Sequence, residues 1–245
     1  MIPKIIHYCW FGGNPLPELA RKCIASWKHY LPDYEIKEWN ENNFNLNLYP
    51  YVREAYDKRK YAFVTDVVRL YALYHEGGIY MDTDVEVLKP LDRFLSHTAF
   101  SGFESYKDIP TGIMASVKGG LFCKDNLDYY EDKHFVKPDG SLDMTTNVVT
   151  ITNYMLLKGL KQDNTYQDFE GLITFYPKEY FCPIEQATKE LVITENTCTI
   201  HHFSGSWLPI EQRLERKLWS LLHIRPHRFM WHVDKWLFKL FRIKR

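Results

Sequence analysis

The stretch AFVTDVVRLYALYHEGGIYMDTD, residues 62–84, decides the fold. Apolar residues recur at helical spacing through its first half, which predicts a helix from about residue 61 to a Gly-Gly stop at 77–78. The apolar run 79–81 then predicts a short buried strand, and the acidic triplet DTD follows at its carboxyl end. Ligands of open α/β sheets bind at such carboxyl ends, so this stretch indicates an α/β domain with its site here.

The segments on either side continue the same alternation. Residues 4–10 form a short apolar run that predicts the first strand, residues 16–30 repeat with helical spacing, and residues 34–39 alternate like a strand. This β-α-β order predicts a Rossmann-like fold in which helices flank a mixed, mostly parallel central sheet. Further predicted elements are a strand at 85–88, helices at 125–132 and 147–160, strand-like segments at 170–177 and 197–202, and an exposed loop at 133–144.

The composition narrows the class of protein. The chain has 245 residues, and its 31 Lys and Arg balance its 31 Asp and Glu, so net charge indicates no particular partner. Five widely spaced cysteines without a C-x-x-C pair favour reduced thiols over a disulfide framework or structural zinc. The sequence shows no signal-like start and no run of about 18 apolar residues. We therefore expect a cytoplasmic protein, either free or peripheral on the inner face of the membrane.

Two carboxylates separated by one residue can hold a hard divalent cation. Asp82 and Asp84 offer the oxygen ligands that suit Mn²⁺ or Mg²⁺, and such a cation can bridge the phosphates of a nucleoside diphosphate sugar. A solvated turn is the alternative for an isolated D-x-D. Aspartate-nucleophile phosphatases also carry this pattern, but they need Thr or Val where Glu86 stands.

Three ordered blocks resemble glycosyltransferase family 32. They are IIHYCWFGG at 5–13, the central stretch 62–84, and HHFSGSW at 201–207. That family includes bacterial capsule and lipopolysaccharide transferases and the fungal initiating α-1,6-mannosyltransferase, and its catalytic domain is similar to those of large clostridial glucosylating toxins. The resemblance implies a GT-A-type α/β fold over residues 1–207.

The resemblance also implies roles for individual residues. Asp66 and Arg69 share one helix face and should contact donor-sugar hydroxyls and the departing diphosphate, although a surface ion pair is the alternative. Asp84 should bind the metal, and Asp82 should contact the ribose, the sugar or the metal. Candidate residues from the outer blocks are His202 as third metal ligand, Trp10 stacked on the base, and Gly205 and Trp207 at the diphosphate, while His201 could equally be packed against the core. Outside the blocks, Asn147 is a candidate for contact with a donor or acceptor hydroxyl.

The family retains anomeric configuration, which implies an α-linked product from an α-linked donor. Front-face displacement is the favoured mechanism, and double displacement through Asp66 is the alternative. The implied donor is a UDP-sugar carrying galactose, glucose or an N-acetyl relative, with GDP-mannose as the alternative. A glycan acceptor in bacterial surface-polysaccharide synthesis, free or lipid-linked, completes the predicted reaction. The competing function is noncatalytic glycan or membrane binding.

The C-terminal segment 208–245 differs in composition. Residues 213–245 carry ten basic side chains against Glu215 and Asp234, interleaved with tryptophan and phenylalanine. This pattern predicts an amphipathic helix that lies on an anionic membrane surface, or one that packs on the catalytic domain. Nucleic-acid binding is not expected, because no recognition motif accompanies the basic residues.

Overall fold

A computed structural model describes residues 1–109, 112–185, 188 and 190–205. The chain divides into two compact units, Met1–Phe203 and Ser204–Arg245, and every helix and strand given below belongs to the first. The predicted tail helix and Trp207 lie outside the described residues. The boundary predicted between residues 207 and 208 stays a prediction.

Within the described part of the chain, seven strands form one sheet and two more form a separate pair. The sheet order is β2-β1-β3-β6-β5-β8-β7, and β4 pairs with β9. Five strands of the sheet run in one direction, whereas β6 and β7 run in the other, so the sheet is mixed and mostly parallel as expected. The strands are β1 (Ile5–Cys9), β2 (Glu35–Trp39), β3 (Gly78–Met81), β4 (Val85–Val87), β5 (Ala99–Gly102), β6 (Ile113–Ser116), β7 (Gln167–Phe169), β8 (Ile173–Tyr176) and β9 (Thr199–His201).

Five described helices accompany the strands. They are α1 (Glu18–Tyr30), α2 (Pro50–Asp57), α3 (Tyr61–Glu76), α4 (Leu121–Asp128) and α5 (Asn147–Leu157). Side chains alternate between the two faces of the sheet, which divides the buried residues into two apolar clusters. Tyr80 lies in the cluster that contains α2, α3, α4 and α5, whereas Ile79 and Met81 lie in the cluster that contains α1.

Two glycines set the path from α3 into β3. Gly77 ends the helix with a φ of +71°, and a Cβ there would lie 2.6 Å from the backbone nitrogen of Lys118. Gly78 has a φ of +110°, and its Cβ would lie 2.6 Å from the carbonyl oxygen of Ile5. Only glycine fits both positions without strain, because each position has a positive φ and lies in close contact with the backbone of a neighbouring segment.

Most predicted elements are confirmed, with changes in the middle of the chain. The helix expected at 125–132 begins four residues earlier as α4, directly after a turn at Gly119 and Gly120. The edge strand β7 was not predicted, and the loop expected at 133–144 contains a β-bridge between Val136 and Leu142. No helix among the described residues is long and apolar enough to span a bilayer.

Candidate active site

The acidic pair lies at the carboxyl end of β3, in a tight turn that leads into β4. The backbone nitrogen of Asp82 donates to the carbonyl oxygen of Gly112 at 2.8 Å, and that of Val85 donates to the carbonyl oxygen of Asp82 at 2.9 Å. These two bonds hold the turn between the sheet and the β4–β9 pair. The short turn keeps the carboxylates of Asp82 and Asp84 close together.

Strand β9 brings an imidazole to the two carboxylates. His201 pairs with Val85 in the antiparallel β4–β9 ladder, and its Nε2 lies 3.3 Å from Oδ1 of Asp84 and 3.9 Å from Oδ2 of Asp82. One ligand atom from each of the three side chains lies within 4.8 Å of the others. We call Asp82, Asp84 and His201 the carboxylate–imidazole cluster.

This donor set fits a divalent cation. The Nε2 atom of His201 faces the carboxylates, and the Nδ1 atom is buried without a geometric hydrogen bond to any described residue. Two carboxylates and an imidazole suit Mn²⁺ well, whereas Mg²⁺ prefers oxygen ligands alone. Burial would lower the pKa of His201, but the hydrogen bond to Asp84 and the contact with Cys182 raise it well above its ordinary value. A cation would replace the proton that this raised pKa keeps on the ring.

The prediction of His202 as the third ligand is corrected. Its Nε2 lies 2.8 Å from Oε2 of Glu86, and its backbone nitrogen donates to the carbonyl oxygen of Asp84 at 3.0 Å. Successive side chains along a strand point to opposite sides, so only one histidine of the pair can face the carboxylates. The strand register gives that position to His201, for which packing against the core was the expected alternative.

Arg69 connects the helix α3 to the acidic turn. Its Nη2 lies 3.4 Å from Oδ1 of Asp66 and 3.4 Å from Oδ1 of Asp82, and its guanidinium lies 4.6 Å from the centre of the Tyr80 ring. Burial would lower the pKa of Arg69, but Tyr80 and the two carboxylates keep it above its ordinary value. The site therefore contains a permanent buried cation beside Asp82.

Asp66 is the most buried of the predicted acidic residues. Its side chain is 8% exposed, and burial raises its pKa to about 6 even though Arg69 and the backbone N–H of Asn147 favour the charged form. Its Oδ1 faces Arg69, and its Oδ2 accepts from Asn147 at 3.1 Å. The surface ion pair considered as an alternative for Asp66 and Arg69 is excluded, because both side chains are buried.

A family model matches the part of the chain that contains the acidic turn. The model described as "Glycosyltransferase sugar-binding region containing DXD motif" matches residues 17–101, which include α3, the acidic turn and the buried Arg69. Over these residues the chain resembles DXD-containing glycosyltransferases of the family-32 type.

Two curated proteins extend the family-32-like match. Inositol phosphoceramide mannosyltransferase 3 of Schizosaccharomyces pombe is 36% identical over 128 residues, which cover 49% of this chain and 35% of that protein. An uncharacterized glycosyltransferase, L373 of Acanthamoeba polyphaga mimivirus, is 28% identical over 221 residues, 85% of each chain. The chain therefore spans about a third of the length of the fungal relative.

A solved structure supports the GT-A-type fold of the chain. A glycosyltransferase involved in the glycosylation of the major capsid of PBCV-1 aligns with a TM-score of 0.51 at 14% identity, covering 87% of this chain and 98% of that one. At this identity the likeness concerns the fold alone. Together with the sheet order, it confirms the predicted GT-A-type architecture.

The structure corrects the predicted role of Asn147. The residue is fully buried, its Nδ2 donates to the backbone oxygen of Asp66 at 2.8 Å, and its Oδ1 accepts from the Tyr130 hydroxyl at 2.9 Å. Both ends of the amide are thus engaged inside the protein. Asn147 contacts Asp66 from behind, so a direct bond to a sugar hydroxyl is not supported.

Three predicted donor contacts remain predictions. Trp10 is half-buried at the end of β1, and its ring N–H donates to the carbonyl oxygen of Asn14 at 2.5 Å. Gly205 belongs to the second unit and has a φ of +60°. Trp207 lies outside the described residues.

Sequence reasoning missed two tyrosines. Tyr80 donates its hydroxyl to Oδ1 of Asp82 at 2.7 Å, and Tyr130 donates to Asn147. The first has a visible signal, because residues two apart on a strand share a face. The second has none, since Tyr130 meets Asn147 only through the packing of the segments around α4 and α5.

Proposed function

We propose that the protein transfers a hexose from a nucleoside diphosphate sugar to a glycan acceptor with retention of anomeric configuration. The observation that carries this proposal is the position of Arg69, whose Nη2 lies between Asp66 and Asp82 beside the carboxylate–imidazole cluster. A buried guanidinium next to a cation site suits a diphosphate leaving group, because both supply positive charge where negative charge develops.

Asp82, Asp84 and His201 would hold the cation, Mn²⁺ or Mg²⁺, which would neutralise the charge of the departing diphosphate when bound. In the front-face mechanism, the acceptor hydroxyl oxygen forms a bond to the anomeric carbon as the bond from that carbon to the diphosphate oxygen breaks. The hydroxyl proton passes to the departing phosphate oxygen. Arg69 stabilises the leaving group, and Asp66 orients the sugar through its hydroxyls.

Double displacement through Asp66 is the less favoured mechanism. A nucleophile needs a carboxylate oxygen that is free to attack. Both oxygens of Asp66 have partners, Arg69 on one side and the backbone N–H of Asn147 on the other, and the side chain is almost fully buried. This environment supports an orienting role.

The proposal ranks two classes of sugar donor and favours one form of acceptor. Our first donor is a UDP-hexose, galactose, glucose or an N-acetyl relative. A mannose donor is the second candidate, because the fungal relatives are named as mannosyltransferases. Their names also contain inositol phosphoceramide, which supports the lipid-linked form of the glycan acceptor. Synthesis of bacterial surface polysaccharide at the inner face of the membrane, with residues 213–245 on anionic lipid, stays our proposed setting.

The test is Mn²⁺-dependent release of nucleoside diphosphate across a panel of UDP- and GDP-sugars that includes GDP-mannose. One donor should be turned over, and both Asp84→Ala and His201→Ala should abolish its turnover. His202→Ala is the matched control and should retain most activity, because His202 contacts Glu86 instead. If no sugar in the panel releases nucleoside diphosphate and no metal-dependent nucleotide binding is detected, the transferase proposal is refuted and a noncatalytic binding protein is favoured.

A further inference from the structure

A continuous chain of hydrogen bonds leads away from the rear of Asp66. The backbone N–H of Asn147 donates to Oδ2 of Asp66 at 3.1 Å, and its side-chain Nδ2 donates to the Asp66 backbone oxygen at 2.8 Å. The Tyr130 hydroxyl in turn donates to Oδ1 of Asn147 at 2.9 Å. Among the described contacts Tyr130 touches neither the cluster nor Arg69, and its hydrogen bond to Asn147 connects it to Asp66.

This chain is sealed from solvent. Asn147 is 0% exposed, Tyr130 is 1% exposed and Asp66 is 6% exposed. Hydrogen bonds in such surroundings are stronger than in water, and a polar group that loses its partner there is costly. The three residues are therefore expected to keep one arrangement.

The direction of each bond fixes the orientation of the Asn147 amide. The side chain has an oxygen that accepts and an NH₂ group that donates. Because the Asp66 backbone oxygen can only accept, it requires the NH₂ group on its side. The oxygen of the amide then faces Tyr130, whose hydroxyl supplies the donor.

The start of α5 adds a second constraint on Asp66. Asn147 is the first residue of this eleven-residue helix, and the first N–H groups of a helix have no partner within it. Here that N–H points at the carboxylate, a position in which the helix dipole also favours negative charge. Holding the Asn147 amide therefore holds the N–H that fixes Oδ2 of Asp66.

We propose that Tyr130 is a positioning residue that acts through Asn147 to fix the Asp66 carboxylate for the donor sugar. This inference rests on the proposed function for its effect on the reaction. Tyr130 is held in turn by Tyr51, whose ring meets the Tyr130 ring edge-on at 5.0 Å. The site thus depends on a tyrosine 64 positions from Asp66 in the sequence.

The kinetic test uses Tyr130→Phe, which removes only the hydroxyl. The kcat for donor turnover should fall about tenfold with less than a twofold change in donor KM, since the sugar still binds but is less well aligned. Tyr154→Phe is the matched control: Tyr154 also donates its hydroxyl to a carboxylate, that of Asp125, but on the exposed surface. Equal kcat values for Tyr130→Phe and wild type would overturn the proposal.

Combining Tyr130→Phe with Asn147→Ala distinguishes a positioning role of Tyr130 from a general loss of stability. On an Asn147→Ala background the connection is already broken, so Tyr130→Phe should lower kcat no further. If the two changes reduce kcat independently, multiplying their separate effects, Tyr130 does not act through Asn147 and the proposal is refuted.

A stability cycle tests the connection without any enzyme assay. Tyr130→Phe, Asp66→Ala and the double variant are unfolded in urea, and the midpoint shift of the double variant should differ from the sum of the single shifts. Additive shifts would overturn the connection. If the wild type releases no nucleoside diphosphate from any sugar, the proposed function fails, while this cycle still decides whether Tyr130 and Asp66 are coupled.

Discussion

The hydroxyl of Tyr80 donates a 2.7 Å hydrogen bond to Oδ1 of Asp82, two residues further along the chain. The Tyr80 side chain lies on the face of the sheet that α3 covers, and its ring also lies against the guanidinium of Arg69. One side chain thus contacts both the acidic turn and the buried cation. Tyr80 fixes the orientation of a carboxylate that we place in the metal site.

The variant Tyr80→Phe should bind Mn²⁺ about tenfold more weakly, because residues that orient metal ligands typically contribute 10- to 100-fold to affinity. Mn²⁺ titration of nucleoside diphosphate release, checked by calorimetry, measures this change. Tyr34→Phe is the control. The Tyr34 hydroxyl is buried without a hydrogen-bond partner among the described residues, and Tyr34 precedes the amino end of β2, at the end of the parallel strands away from the acidic turn. Unchanged Mn²⁺ affinity in Tyr80→Phe would mean that Asp82 needs no such support.

The variant Gly112→Ala should weaken the cation site through His201. An added Cβ at residue 112 would lie 2.7 Å from both Cε1 and Nδ1 of the imidazole, so the ring must move. We expect a loss of Mn²⁺ affinity that approaches the loss in His201→Ala, with the UDP-sugar or GDP-sugar preference unchanged. Calorimetric Mn²⁺ titration of the two variants side by side measures it. Wild-type affinity in Gly112→Ala would show that His201 does not bind the metal.

The variant Asp66→Asn should be more stable than the wild type at neutral pH and inactive. The pKa of Asp66 is raised to about 6 by burial, so its charged form costs folding free energy. Between about pH 4 and 6 the folded state holds a proton that the unfolded chain has released, so stability falls as pH rises through this window. We expect a gain of up to about 3 kcal/mol at pH 7.5 that disappears near pH 4. Urea unfolding at both pH values measures it, and a loss of stability at pH 7.5 would contradict the prediction.

His7 should give the opposite pH dependence. Its Nε2 lies 2.7 Å from the carbonyl oxygen of Gly77, and its Nδ1 accepts from the indole N–H of Trp39 at 3.0 Å, which requires the neutral ring. Burial lowers the pKa of His7 below its ordinary 6.5, despite the bond to Gly77. The unfolded chain therefore takes up a proton below about pH 6.5 that the folded chain does not, and this contribution to stability is lost as pH falls.

The variant His7→Gln measures that contribution. It should unfold more easily at pH 7.5 by about 2 kcal/mol, because buried partners of His7 lose hydrogen bonds. The difference in the free energy of unfolding between the variant and the wild type should narrow at pH 5.5, because only the wild type loses the contribution of His7. All other titrating groups are the same in the two proteins. Urea midpoints at both pH values provide the comparison. If the stability difference between the two proteins stays constant with pH, His7 is not the group whose titration changes the stability.

The sequence predicted the parts of the site that are local in the chain. The helix α3, its glycine stop, the strand β3 and the acidic turn follow one another within residues 61–84, so spacing and turn chemistry identify them together. The mixed sheet also followed from the β-α-β order. These predictions depend on periodicity and on glycine geometry, which neighbouring residues determine.

The rest depends on contacts between distant segments. The choice between His201 and His202 depends on the register of β9 against β4, which brings together residues more than 110 positions apart and is invisible to a motif. Asn147 was predicted from its neighbours, but its contact with Tyr130 reverses the interpretation from sugar ligand to support. The helix α4 was placed four residues late, because acidic residues after its observed end extended the polar pattern.

The β4–β9 pair has a consequence for the order in which the site is completed during synthesis. Asp82 and Asp84 leave the ribosome long before residue 201, and His201 joins them only when β9 adds to β4. Until then the nascent chain exposes two carboxylates without their imidazole partner. The cation site therefore reports whether the chain has been made and folded through β9, since a nascent chain that stops short of it lacks one of the three ligands.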